Sequence, residues 1–181
     1  MYIAEQLKKK NVAEYLLYMW QVEDTLRAYE LDVERIDREY IPQFGLDAEK
    51  SETLKGWYES LVEMMREEGV TEKGHLQVNK NIIILLNDLH VQLLKSSKHP
   101  FYSAAYYKAL PFIVELRSKS AESQEKGEIE NCFDALYGTM LLRAQKKEVS
   151  PETATAIDNI AKFIALLSDY YQKDKAGEVD F

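Results

Sequence analysis

A chain of 181 residues, 46% hydrophobic and 30% charged, is long enough to bury a sizeable core and apolar enough to offset the entropy of ordering, which excludes a disordered segment. Its 23 Lys and Arg against 31 Asp and Glu give a net charge of −8, which repels phosphate backbones and argues against nucleic acid as a partner. The single cysteine, Cys132, excludes an intrachain disulfide and an all-cysteine metal site, and the longest aliphatic run, Ile82 to Leu86, falls far short of the ~20 residues of a membrane span.

Only 7 Gly and 4 Pro punctuate the chain, and most lie between segments of helical periodicity, so the pattern predicts an all-α, single-domain bundle of about six to seven helices. The N-terminus carries Glu5 where a leader would need basic residues before an apolar stretch, so a cytoplasmic location is expected. Residues 1–10 are read as one short turn of helix. Asn11-Val12-Ala13-Glu14 is an Asn-led capping box that opens the first long helix, running to about Tyr29. Asp32 caps a short helix through Val33, Ile36 and Tyr40 that Pro42 and Gly45 stop.

Asp47 starts a third segment with the stripe Leu54, Trp57, Tyr58, Leu61 and Met65, ending at Gly69. The segment near residues 76–95 contains Ile82-Ile83-Ile84, which by propensity could be a strand. Its length and helical spacing argue for a helix instead, and its nearly encircling apolar residues predict a central buried one. After His99-Pro100 a stripe is expected at Phe101, Ala105, Ala109, Phe112 and Leu116, with Pro111 on the opposite side as a kink. Residues 118–127 are polar and read as a loop. Ile129, Cys132, Phe133, Leu136 and Met140 mark the next helix, and Ser150-Pro151 opens a final one carrying Ile157, Ile160, Ile164, Leu167 and Tyr171. The domain is drawn over 1–172, with 173–181 as a frayed tail.

Polarity enters the apolar faces at a few places. On the first long helix Glu23 and Arg27 fall amid Val12, Tyr15, Leu16, Met19, Trp20 and Leu26, and their i,i+4 spacing predicts an ion pair. Because two desolvated charges seldom stabilise more than an apolar replacement, the pair asks for a role: fixing helix register, or lining a pocket where Arg27 grips a small anion. Asn79 and His90 on the 76–95 helix and Arg143 on the sixth project inward in the same way, and Tyr15 lies beside them, so Glu23, Arg27, His90, Asn79, Tyr15 and Arg143 form the candidate ligand set. A meeting of His90 with Glu23 would supply a general acid and base.

No cofactor or metal is expected. The one Glu-x-x-His match, Glu72 to His75, straddles a Gly turn, and there is no phosphate loop, dinucleotide fingerprint or nucleophile elbow. Tyrosine is abundant at 12 residues, which suits helix–helix or oligomer interfaces. The stretch Asn11-Val12-Ala13-Glu14-Tyr15-Leu16-Leu17-Tyr18-Met19-Trp20-Gln21-Val22-Glu23-Asp24, with Arg27 after it, resembles the N-terminal signature of an uncharacterised bacterial family, a domain of unknown function of about this length. The resemblance implies bacterial origin and a cytoplasmic location, and transfers no catalytic residue.

These readings favour a non-enzymatic bundle acting through a protein partner or self-association. The alternative is a small anionic-ligand-binding or catalytic protein with a pocket around Glu23, Arg27 and His90. A histidine phosphotransfer bundle ranks last, with His75 its one candidate.

Overall fold

The computed structural model describes all residues, 1–181, and contains helices and no strand. Nine α-helices follow one another: α1 (Tyr2–Lys10), α2 (Val12–Ala28), α3 (Val33–Glu39), α4 (Ala48–Glu67), α5 (Gln77–Lys95), α6 (Pro100–Ser118), α7 (Ala121–Glu125), α8 (Glu128–Ala144) and α9 (Pro151–Lys175). A 3-10 turn, Ile41–Phe44, lies between α3 and α4. The count exceeds the expected six to seven. The polar stretch read as a loop holds α7, which Ser120 caps by accepting from the Ser123 N–H at 3.0 Å, a signal of capping without an apolar stripe. No helix is long and apolar enough to cross a membrane.

The residues cluster into two compact units, one of 1–9 with 14–81 and one of 10–13 with 82–181. In the first, Leu16, Trp20, Leu26, Ile36, Met65 and Leu76 are fully or almost fully buried. Asp32 and Asp47 cap α3 and α4 by accepting from the N–H groups of Arg35 (3.1 Å) and Lys50 (2.8 Å). Gly69 and Gly74 take left-handed φ angles of 68° and 87°, which only glycine adopts freely, and so turn the chain from α4 back toward α5.

The end of α2 is less economical, since Glu30 and Leu31 both sit at φ 58°. The turn is held by the Leu31 N–H donating to Leu26 O (2.9 Å) and by Arg66 Nη2 donating to Leu31 O (3.1 Å). Leu31 is buried and fixed in place, whereas Glu30 has a side chain that the left-handed conformation strains for no packing return. Glu30→Gly is therefore expected to raise the unfolding free energy by about 1 kcal/mol, read as a higher urea midpoint at unchanged slope; a lower midpoint would show that the turn needs the Glu side chain.

In the second unit α6, α8 and α9 pack against one another pairwise, around Tyr102, Ile113, Phe133, Phe163 and Leu167. Ser150 accepts from the Thr153 N–H at 3.2 Å with Pro151 at the first helical position, which is the N-terminal chemistry that the sequence displays. Asn11 accepts from the Ala13 N–H at 3.1 Å and from the buried Ser168 hydroxyl at 2.8 Å, tying the start of α2 to α9.

Two expectations are corrected. The helix near 76–95 is not encircled by protein: Ile84 is 54% and Leu85 48% exposed, against the nearly full burial of Leu86 and Leu93, so apolar content on every side of α5 did not mean burial on every side. The buried face of α6 is Tyr102, Tyr106, Ala109 and Ile113, rotated by about one residue from the predicted stripe, and Phe101 is 83% exposed. Tyr102 and Tyr106 bury because their hydroxyls find partners, His90 at 2.6 Å and Glu128 at 2.8 Å, a compensation that apolar periodicity does not register. Pro111 does lie on the exposed side, inside an unbroken helix.

Candidate functional site

The most concentrated polar chemistry of the first unit lies where α2 meets the turn before α5. Glu23 is fully buried on the apolar face of α2, and its carboxylate accepts three hydrogen bonds: from Asn79 Nδ2 at 2.7 Å, from the Leu76 N–H at 3.0 Å and from His75 Nδ1 at 2.6 Å. The Leu76 N–H is one of the donors that the start of a helix leaves without an internal partner, and the positive end of the α5 dipole favours a carboxylate there.

Glu23 and Arg27 do not form the expected ion pair with each other. Arg27 Nη1 donates to Asp24 at 2.8 Å, while Nη2 donates to the carbonyls of Val70 (3.0 Å) and Gly74. The two side chains instead divide the peptide groups of the 70–76 turn between them, Glu23 taking a donor and Arg27 two acceptors. A guanidinium fork suits two converging carbonyls, and the carboxylate suits the free N–H, so each charge finds a better partner in the turn than in the other.

His75 completes the cluster. Its ring stacks on Trp20 with centroids 3.9 Å apart and planes 10° apart, and its Nδ1–H donates to Glu23, which in the neutral ring puts the lone pair on Nε2. The side chain is 23% exposed. Neither the stacking nor the carboxylate contact was evident in the sequence, where His75 stands next to a Gly turn; the cue was that Trp20 and Glu23, three apart on α2, share one face. No group of three or more His, Cys, Asp or Glu side chains is placed to hold a metal ion.

The other members of the predicted set lie elsewhere. Tyr15 is in the same unit, with the Lys8 ammonium 5.5 Å from its ring centre, and lines a groove of about 360 Å³ together with Met19, Trp57, Leu61 and Val78. Arg143 is exposed in the last turn of α8, where a cation complements the helix dipole. His90 belongs to the second unit, against the Tyr102 hydroxyl and the rings of Tyr106 and Phe163 at 4.8 and 5.5 Å.

Burial pushes the His90 imidazole below its ordinary value of 6.5, with Glu128 opposing weakly. The unfolded chain therefore binds this proton more readily than the folded one, so stability is complete above about pH 6.5 and falls as pH drops below it. His90→Gln is expected to flatten the fall in melting temperature between pH 7 and pH 5; an unchanged slope would assign it to other groups. Burial likewise pushes the Cys132 thiol far up, which makes it a poor nucleophile.

The outer face of α6 is the other notable surface. Pro100, Ala104, Tyr107, Pro111, Val114 and Ser118 are all exposed, at alternating spacings of four and three, the heptad rhythm of a helix–helix seam. Tyr107 is 62% and Val114 57% exposed. Lys108 and Glu115 stand one heptad apart along one edge of this face, both exposed.

Among known proteins, a family model described as a domain of unknown function matches residues 1–178. No curated protein matches the chain, and no solved structure does.

Proposed function

The chain thus belongs to the family described as Domain of unknown function (DUF4924), and from that premise we propose that it is a non-enzymatic bacterial protein of the cytoplasm that acts by pairing with a second copy of itself through the outer face of α6. The observation that carries this reading is the exposed heptad stripe from Pro100 to Ser118. A seam with that rhythm takes another helix, and its edge charges favour this chain's own: with two copies antiparallel, Lys108 of each faces Glu115 of the other, giving two opposite-charge contacts and a closed two-fold pair. Tyrosine and proline at the centre bring large rigid surface at small cost in conformational entropy. The reading includes one cooperative domain over 1–172, with 173–181 outside it.

Light scattering tests the pairing. The wild-type chain is expected at twice the monomer mass at micromolar concentration, and Tyr107→Lys with Val114→Glu is expected to give the monomer at an unchanged melting temperature. A wild-type chain that stays monomeric at several hundred micromolar would overturn the proposal.

A second reading, a small anion held around Glu23, Arg27 and Asn79, draws support from the buried Arg27 Nε–H, a donor without a hydrogen-bond partner. His90, Tyr15 and Arg143 drop out of this smaller site. Inorganic phosphate or acetate at millimolar concentration should then raise the melting temperature of the wild type and not of Arg27→Lys; no shift in the wild type would remove the reading.

A further inference from the structure

We propose that His75 is a phosphoryl-acceptor site, modified at Nε2 by small phosphodonors of the phosphoramidate or acyl-phosphate class. The inference is independent of α6 and rests on the geometry around the ring. The Glu23 carboxylate, fully buried, accepts from Nδ1 at 2.6 Å, which fixes the tautomer of the neutral ring with its lone pair on the opposite nitrogen. The Trp20 ring, stacked at 3.9 Å, covers one face and stops the imidazole from turning over. With Nδ1 and that face taken, Nε2 is the ring nitrogen without a hydrogen-bond partner, on a side chain that is 23% exposed.

Glu23 is itself held by Asn79 Nδ2 and the Leu76 N–H, so the base behind the imidazole cannot swing away. Acyl transfer would need in addition an oxyanion-binding pocket, whereas transfer of a phosphoryl group to imidazole needs an oriented lone pair. In the step, the Nε2 lone pair forms a bond to phosphorus as the bond from phosphorus to the donor's nitrogen or acyl oxygen breaks. The leaving group departs as ammonia, protonated from solvent, or as a carboxylate. Nδ1 keeps its proton, donated to Glu23 throughout, and no oxidation state changes.

The full chain is incubated with potassium phosphoramidate at neutral pH, folded and separately in urea, and each histidine is followed by peptide mapping with phosphorus NMR to distinguish the two ring nitrogens. Folded wild type is expected to take one phosphoryl group at Nε2 of His75 ahead of His99 and about tenfold faster than the same residue in urea, the scale set by a carboxylate behind an imidazole. His75→Gln should abolish that label, and Glu23→Gln should slow it toward the urea rate. Labelling of His99 first, modification at Nδ1, or equal rates for His75 in folded and unfolded chain would overturn the proposal. The wild-type comparison decides even if Glu23→Gln does not fold.

Discussion

Glu23→Ala is expected to lower the unfolding free energy by about 3–5 kcal/mol, because it strands the Asn79 amide and the Leu76 N–H without an acceptor and removes a charged partner from His75. The cost is one of unmade hydrogen bonds more than of lost attraction, so Glu23→Gln, which keeps an acceptor and the volume, should lose markedly less. Urea unfolding followed by far-UV circular dichroism measures both. A loss below about 1 kcal/mol for Glu23→Ala would mean that water replaces the carboxylate freely and that the site is not as dry as its burial indicates.

Phe163→Ala should cost about as much, roughly 3–5 kcal/mol. Phe163 is fully buried in α9 and packs against the rings of His90, Tyr102 and Tyr106 at 5.5, 5.7 and 5.5 Å, and these neighbours, locked by the His90–Tyr102 and Tyr106–Glu128 hydrogen bonds, cannot collapse into the space it leaves. The same variant tests the single cooperative domain. Both tryptophans, Trp20 and Trp57, belong to the first unit and Phe163 to the second. If 1–172 unfolds as one, Phe163→Ala will shift the tryptophan-fluorescence transition and the circular dichroism transition together. A fluorescence transition that stays at the wild-type midpoint while the dichroism moves would divide the domain.

The long elements were legible because each carries its own local signals. Ser150-Pro151 opens α9 with a cap and a proline, and Leu54, Tyr58, Leu61 and Met65 on α4 are apolar and buried together. α7 was not, since five residues capped by Ser120 present no face that must be hidden. The inward turn of Glu23 was legible for the same reason as α4, an acid on a face that ought to be dry. Its partner was not. The i,i+4 rule put Arg27 there because the rule knows only the helix surface, and the 70–76 turn offered both side chains better-matched peptide groups. His75 was named only as an exposed phosphotransfer candidate, and its contact with Glu23 and Trp20 was not foreseen, because it sits in an irregular segment where neither period assigns a residue to an inside or an outside. The rotated face of α6 has a similar cause: tyrosine counts as half polar until its hydroxyl is known to have a partner.

Glu23 and Arg27 grip the 70–76 turn chiefly by its main chain, at the Leu76 N–H and the Val70 and Gly74 carbonyls. Such a grip is blind to what the intervening side chains are. Thr71, Glu72 and Lys73 can drift through many residue types while the path of the backbone stays the same, and the histidine that follows is delivered to the same place each time. The identity of the turn is thus written in α2, some fifty positions earlier in the chain, and a change of reactivity or of neighbours at that end of α5 could be made in the turn itself without disturbing what holds it.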